Sequence, residues 1–463
     1  SENIIKSLDN ASSSDLTHIS HVETDQRFDE FDCVLQSQVA CLITRSRSTT
    51  CGLDPMPTDL VKKCVNELSP VITRIANMSL RDGCFPDVLK LANISPLIKA
   101  SKLDSEDLGS YRPIAHIQFL GKTIERLVNL QIQDHLVENH LYASMQSAYR
   151  PYHSCESAVL RVVNDILLAL DRGNEAVLLL LDYSSAFDTI HHETLISRLQ
   201  RRYGICNNAL KWFQSYFVNR RHSVIIGESQ SRTYYTWYGV PQGTVIGPLA
   251  FSLYAAPLQD VIDHHNINCM MYADDTQMYI TLKSNEQCNT IDRLQVCVND
   301  IINWSKKNDL KLNSNKTEVL HFTSKFRKSN QMDGIEIDNI LIKCVDAAID
   351  LGVQQDKNLT MRAQVNNVCK TSSFALHKIG KIRQFLTKEA TKQLVHALVI
   401  SRIDFCNSLL YSLPDVHTNK LQRIQNSAAR LITRTKRREH ITPILNNCTG
   451  CQLSPVLIIR SFY

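Results

Sequence analysis

The sequence predicts an α+β protein, with strands and helices alternating around a small sheet in its middle and helices alone further on. Three observations predict it. "AVLLLLD" (176–182) is a short unbroken apolar run, as suits a strand buried on both faces. "MYADDTQMYI" (271–280) sets a polar tip between two runs rich in Tyr, Met and Ile, the pattern of a hairpin. From 360 to 440 the apolar residues recur at helical spacing, with a polar loop near Leu413 to Asn419.

The remaining elements follow in order. Residues 1–45 are polar with weak periodicity and read as a loosely ordered extension with one or two short helices. "CGLDPMPTDL" (51–60) is turn-rich and introduces a helix from Asp59 to Leu68. Residues 93–117 mix short strands and a turn, and a helix runs through "GKTIERLVNLQIQDHL". "ESAVLRVVNDILLALDRG" (156–173) is amphipathic: Val159, Val162, Val163, Ile166, Leu167 and Leu170 keep helical spacing, and Gly173 stands where a helix ends. After Asp182, "YSSAFDTIHHETLISRL" begins another helix, with Asp188 as its cap. "GVPQGTVIGPLAFSLYAAPL" (239–258) passes from loop into helix, and 290–308 is an amphipathic helix. "LKLNSNKTEVLHF" (310–322) is a turn into a strand, and "AIDLGVQQD" (348–356) is one more strand.

The composition sets bounds on function. Of 463 residues, 43% are hydrophobic and 21% charged, the balance of a soluble globular protein. The longest apolar run, "AVLLLL", falls far short of the roughly 18 residues a membrane span needs. "SENIIKSLDN" lacks the basic start and apolar core of a signal peptide, so an intracellular protein with no membrane partner is expected. The first residue is Ser and not Met, as in a fragment or a processed product. Fifteen cysteines without paired rhythm read as reduced thiols. Cys448 and Cys451 form one CxxC, half of a four-ligand zinc site, and read as two free thiols. Net charge is a mild +5, but Lys420 to Arg438 carries seven basic residues and no acidic one, which points to a polyanionic partner.

The hairpin tip raises the question of chemistry. Asp274 and Asp275 are adjacent and repel each other unless water or a cation answers them. Mg²⁺ takes carboxylate oxygens and is held by one or two of them plus substrate phosphates. Asp182 ends a strand 92 residues earlier, and a sheet could bring it to the hairpin. Two ions about 3.5–4 Å apart stabilise both the attacking and the leaving oxygen of a phosphoryl transfer. A Tyr-x-Asp-Asp tetrapeptide by itself is short enough to arise by chance, and a solvated turn is the alternative.

The order of the other stretches is far more specific. "CGLDPMPTDL", "SPLIKA", "SYRPIAHI", "QSAYRPYHSCESAV", "LLLLDYSSAFDTI", "GVPQGTVIGPLAF", "YADDTQ", "LKLNSNKTEVL", "LGV" and "KLQRIQNSAARLI" succeed one another. In this the chain resembles the reverse transcriptases of non-LTR (LINE-type) retrotransposons, nearest the jockey-like groups. The resemblance implies a right-hand polymerase: an N-terminal extension (1–45), fingers with part of the palm (46–175), a palm with the catalytic stretches (176–356) and a helical thumb with a C-terminal tail (357–463). Its palm is a small antiparallel sheet packed on helices.

The resemblance also implies roles. Asp182, Asp274 and Asp275 would hold two Mg²⁺ ions, or Mn²⁺, with Asp274 the stronger hairpin ligand. Phe187 would be the steric gate against a ribose 2′-hydroxyl; plain core packing is its alternative. Gln242 would touch the nascent base pair, in a loop where Gly239 and Gly243 let backbone approach closely. Lys99 and Arg112 would hold the triphosphate, and Lys316 would protonate the pyrophosphate. Lys420, Arg423, Arg430, Arg434 and Arg437 would form a basic face opposite Leu421, Ile424, Ala428 and Leu431 and track the template–primer backbone.

The implied partners are an RNA template, a DNA primer and dNTPs, and family behaviour implies a nuclear site of integration. Departures from the family pattern are Ser110 for Asn, Ala148 for Gly, Cys155 for Thr, and a drifting tail. Residues 1–45 are too short for the endonuclease such elements also encode, which would come from a missing N-terminal region or another chain. Two other readings stay open: a catalytically inactive relic that only binds nucleic acid, and an RNA-directed RNA polymerase, against which Phe187 and "YADD" speak.

Overall fold

A computed structural model describes residues 24–100, 102–283, 285–324, 332–411, 413–436 and 438–447. The start of the expected extension, Arg437, Cys448, Cys451 and the rest of the tail lie outside them. The chain mixes helices and small sheets in two compact units that interleave along the sequence. The first comprises 1–150, 181–276 and 293–316; the second comprises 151–180, 277–292 and 317–463.

In the first unit the strand Leu91–Ile98 is antiparallel to Tyr111–His116 and parallel to Arg221–Ile226. Ser229–Gln230 and Tyr234–Tyr235 fold back on Arg221–Ile226. The helix expected over 59–68 is two helices, Thr58–Lys63 and Val65–Asp82. The second runs long because Ile72, Ala76 and Leu80 extend its buried stripe at i, i+4 and i+8, and it ends where Gly83 turns left-handed at φ +60°. The core is aromatic: Trp212, fully buried, stacks on Tyr216 at 5.3 Å and meets Phe85 edge-on at 5.6 Å. The helix Gln36–Arg45 buries Val39 and Ile43 completely, so this part of the expected extension is built into the first unit.

In the second unit the strand Glu175–Leu181 lies between Asp275–Leu282 and Glu318–Phe322, antiparallel to the latter with Leu178 opposite Leu320. Val177, Leu178 and Leu179 are fully buried, each contributing on the order of 1.5–3 kcal/mol. This is the strand the unbroken apolar run predicts. The helix Cys155–Asp171 starts at Ser154, whose hydroxyl accepts from the Ser157 amide at 3.1 Å. The single strand expected over 348–356 is a hairpin, Ala347–Asp350 with Val353–Asp356. Leu351 and Gly352, at φ +43° and +86°, supply its tight left-handed turn. The loop expected near 413–419 ends at Pro414, because Asp415–Thr433 is one helix. It packs with Arg362–Ile382 around Val365, Val368, Ile379, Val399, Leu421 and Ala428.

Among the described residues the cysteines are free thiols, and no helix is long and apolar enough to cross a membrane.

Candidate active site

A cavity of about 490 Å³ opens in the first unit, and its walls carry Asp182, Asp274, Asp275, Lys99, Arg112, Phe187, Gln242, Gly243 and Lys316. These are all the residues that the sequence proposes for catalysis and substrate binding.

Asp182 follows directly on Leu181, the last residue of a buried strand. Its carbonyl accepts the Asn313 amide at 2.8 Å, and the neighbouring Ser184 amide donates to Lys311 at 2.8 Å. This seam carries Lys316 to the same place: its Nζ lies 3.3 Å from Asp182 Oδ2. Asp274 and Asp275 stand at the tip expected of a hairpin, after Tyr272 and at the start of Asp275–Leu282. Ala273 is left-handed there, at φ +57°. Buried Gln146 fixes the turn, its Oε1 accepting the Ala273 amide at 3.1 Å and the Ala148 amide at 2.9 Å.

The electrostatics are those of carboxylates crowded together and short of water, only partly balanced by Arg112 and Lys316. Loss of hydration raises the Asp274 carboxyl above the ordinary range, and Asp182 adds to the rise while Arg112 and Lys316 oppose it. Asp275 is pushed up to about 6, first by lost hydration and then by Asp274 and Asp182. A divalent cation would relieve both. Among the described residues no three donors are gathered tightly enough to enclose an ion by themselves. Asp182, Asp274 and Asp275 on one cavity wall are hard oxygen donors of the kind a divalent cation takes.

Phe187 sits in a short 3-10 turn, Ala186–Asp188, after left-handed Ser185. Its ring stacks on Phe251 at 4.6 Å while also walling the cavity. The helix expected to begin here starts only at His192, and its cap is His191, whose side chain accepts from the Thr194 amide. Asp188 is therefore no cap. It is half-buried, loss of hydration raises its carboxyl, and it accepts from Gln242 Nε2 at 3.4 Å.

The Gly239–Gly243 loop is locked to the chain's own backbone. Gly239 has φ +80°, and a Cβ there would come within 2.8 Å of the Asp188 backbone. Gly243 has φ +111°, and its Cβ would meet the Ala115 carbonyl at 2.6 Å. The Gln242 carbonyl accepts the Ala115 amide at 2.7 Å. Lys99 is exposed and donates to the Gly109 carbonyl at 2.8 Å; Arg112 is exposed on its strand.

In the second unit, the helix Asp415–Thr433 buries Leu421, Ile424 and Ala428 as expected, with Ile432 fully buried where Leu431 is only half-buried. Lys420 donates to Asn366 Oδ1 at 2.8 Å, and Arg423 is exposed. The Arg430 guanidinium donates to the carbonyls of Lys436 and Glu439, and Arg434 to that of Arg383.

Sequence reasoning misses three residues. Tyr149, left-handed at φ +57°, walls the cavity while staying exposed, and lost hydration and then the hairpin carboxylates raise its hydroxyl pKa. Gln146 and Glu125 act from behind the walls. Only Glu125 leaves a trace in the sequence, as a lone acid among the apolar positions of "TIERLV".

Residues 99–401 match the family model for reverse transcriptase (RNA-dependent DNA polymerase). The chain is 29% identical over 376 residues to the probable RNA-directed DNA polymerase from transposon BS of Drosophila melanogaster, covering 78% of this chain and 40% of that protein. It is 28% identical over 400 residues to the probable RNA-directed DNA polymerase from transposon X-element of the same fly, covering 85% and 43%. Against the RNA-directed DNA polymerase from mobile element jockey of Drosophila funebris it is 26% identical over 414 residues, covering 82% and 44%. The chain thus spans less than half the length of these curated relatives. The family match takes in more than half of the chain and every residue of the cavity wall, from Lys99 to Lys316: the chain belongs to the reverse transcriptase family.

Proposed function

We propose that this chain is the polymerase part of a non-LTR retrotransposon's RNA-directed DNA polymerase. It would join a DNA primer's 3′-OH to the α-phosphorus of a dNTP on an RNA template, with pyrophosphate leaving. One observation carries the reading: Asp182, Asp274 and Asp275 share a single cavity with Lys99, Arg112 and Lys316. Two divalent cations held by the three aspartates, Mg²⁺ or Mn²⁺, would offset charge on the attacking and leaving oxygens.

The chain's own groups do the rest. Lys99 would exchange the Gly109 carbonyl for a phosphate oxygen, and Arg112 would grip the triphosphate through its planar fork. Phe187, braced by Phe251, would exclude a 2′-hydroxyl. Gln242, fixed by Ala115 and Asp188, would meet the nascent base pair. Lys316 would leave Asp182 once that carboxylate is otherwise engaged, and then give its proton to pyrophosphate.

On this reading residues 46–175 are fingers with part of the palm, 176–356 palm, and 357–463 thumb and tail. Lys420, Arg423 and Arg434 would track duplex phosphates; Arg430 would join them only by giving up its two carbonyls. An endonuclease would act from another region of the longer element or from another chain.

The test is Mg²⁺-dependent dTTP incorporation on poly(rA)·oligo(dT), with Asp274→Asn alongside. Incorporation lost in the variant is the expected result. No incorporation by either protein, with the duplex still bound, would leave a relic that only binds nucleic acid.

A further inference from the structure

Between Lys357 and Lys388 the sequence has seven lysines and arginines and no acidic residue. The helix Arg362–Ile382 occupies most of this stretch. Its buried side is Val365, Val368, Ser372, Ala375 and Ile379, packed into the second unit's core. At 100° per residue, Lys370, Phe374, His377, Lys378 and Lys381 fall on the opposite side, and Phe385 follows in the turn Arg383–Phe385 just past the helix. All six are exposed, Phe374 at 61% and Phe385 at 80%.

Two phenyl rings stand open along this cationic stretch, and their setting points to an occupant. Lys378 Nζ lies 4.6 Å from the Phe374 ring centroid, and no carboxylate lies on this segment itself, though Asp346 pairs with Lys357 at 2.6 Å. Phosphate contacts alone would need only the lysines. Rings interleaved with cations are what unpaired nucleotides require, since bases stack on the rings while the backbone follows the charge.

We propose that this face of the helix and the turn after it bind single-stranded nucleic acid, with unpaired bases stacked on Phe374 and Phe385 and phosphates held by Lys370, Lys378 and Lys381. The surface belongs to the second unit and uses none of the cavity residues. It would let the chain hold an unpaired strand independently of polymerisation.

The test uses the full chain and fluorescent oligonucleotides: single-stranded RNA, single-stranded DNA of the same sequence, and a blunt duplex of the same length. Phe374→Ala with Phe385→Ala should weaken single-strand binding about tenfold or more and duplex binding less than about twofold. Lys378→Ala with Lys381→Ala should flatten the salt dependence of single-strand binding by roughly 0.7 per lysine. Loss on RNA alone or on both single strands supports the surface and tells which strand it holds. Unchanged single-strand affinity in the phenylalanine variant overturns it. So does an equal loss on the duplex, which would make the face a duplex contact. Both variants alter exposed side chains, and melting curves matching the parent's verify the fold. dTTP incorporation on poly(rA)·oligo(dT) reports separately on the polymerase reading.

Discussion

Gln146 holds Ala273 in the left-handed turn that presents Asp274: one buried amide oxygen accepts both the Ala273 and the Ala148 N–H. Gln146→Met keeps the bulk and removes the acceptor. Each buried N–H left without a partner costs about 1–3 kcal/mol. The variant should melt at a lower temperature, and its maximal rate of dTTP incorporation should fall about tenfold or more while KM moves little. A variant with the parent's rate would show that the hairpin keeps its place unaided.

Asp275 gives the stability of the free protein a specific pH dependence. Its pKa is about 6 in the fold and about 3.9 in an unfolded chain. Between those values the folded state holds more protons, so stability falls as pH rises through that window. Asp275→Asn should therefore raise the melting temperature at pH 7.5, with the gain gone near pH 4. Millimolar Mg²⁺ should stabilise the parent more than the variant, because the ion supplies the missing counter-charge. Melting curves over pH 4–8, with Mg²⁺ and with chelator, check both signs.

Much of this site was legible because its chemistry sits in short runs. Asp182 closes an unbroken apolar strand, and Asp274 and Asp275 interrupt an apolar hairpin, so periodicity marks both. The supporting contacts are not local. Gln146 and Ala273 are 127 positions apart, and nothing in a lone Gln announces a turn so far down the chain. The Asp188 cap failed because the chain kinks at left-handed Ser185 and restarts at His192, with a His as cap. The 348–356 hairpin was missed because Leu351 takes a conformation usually left to Asn or Gly. Both errors lie where backbone strain overrode side-chain pattern.

Phe187 braces against Phe251 and faces the cavity at once, so two substitutions separate its roles. Phe187→Val opens the floor and should lower discrimination between dTTP and UTP on the order of tenfold or more, about 1.4 kcal/mol per factor of ten. Phe187→Tyr keeps the ring and should keep the discrimination. Measuring kcat/KM for both nucleotides on one template decides it; unchanged selectivity in the valine variant would make Phe187 a packing residue only.

Glu125 ties the far side of the Gly239–Gly243 loop to the core. Its carboxylate is fully buried, accepts the Tyr216 hydroxyl at 2.8 Å and takes the Val245 amide at 2.6 Å, just before the helix Ile246–Ala255 begins. An anion at a helix start is favoured by the free N–H groups there. Buried Arg220, which lies over the Tyr216 ring, supplies the counter-charge. Burial still raises the Glu125 carboxyl above the ordinary range, although Arg220, acting through space and not through an ion-pair contact, opposes the rise. Glu125→Ala leaves the buried Tyr216 hydroxyl and the Val245 amide without their acceptor and should cost about 1–3 kcal/mol for each in urea unfolding. Glu125→Gln keeps an acceptor for Val245 and should cost less. Because the Gln242 wall hangs from this helix, the glutamine variant should also raise KM for dNTP more than it lowers kcat. A glutamine variant with the parent's KM would confine Glu125 to stability.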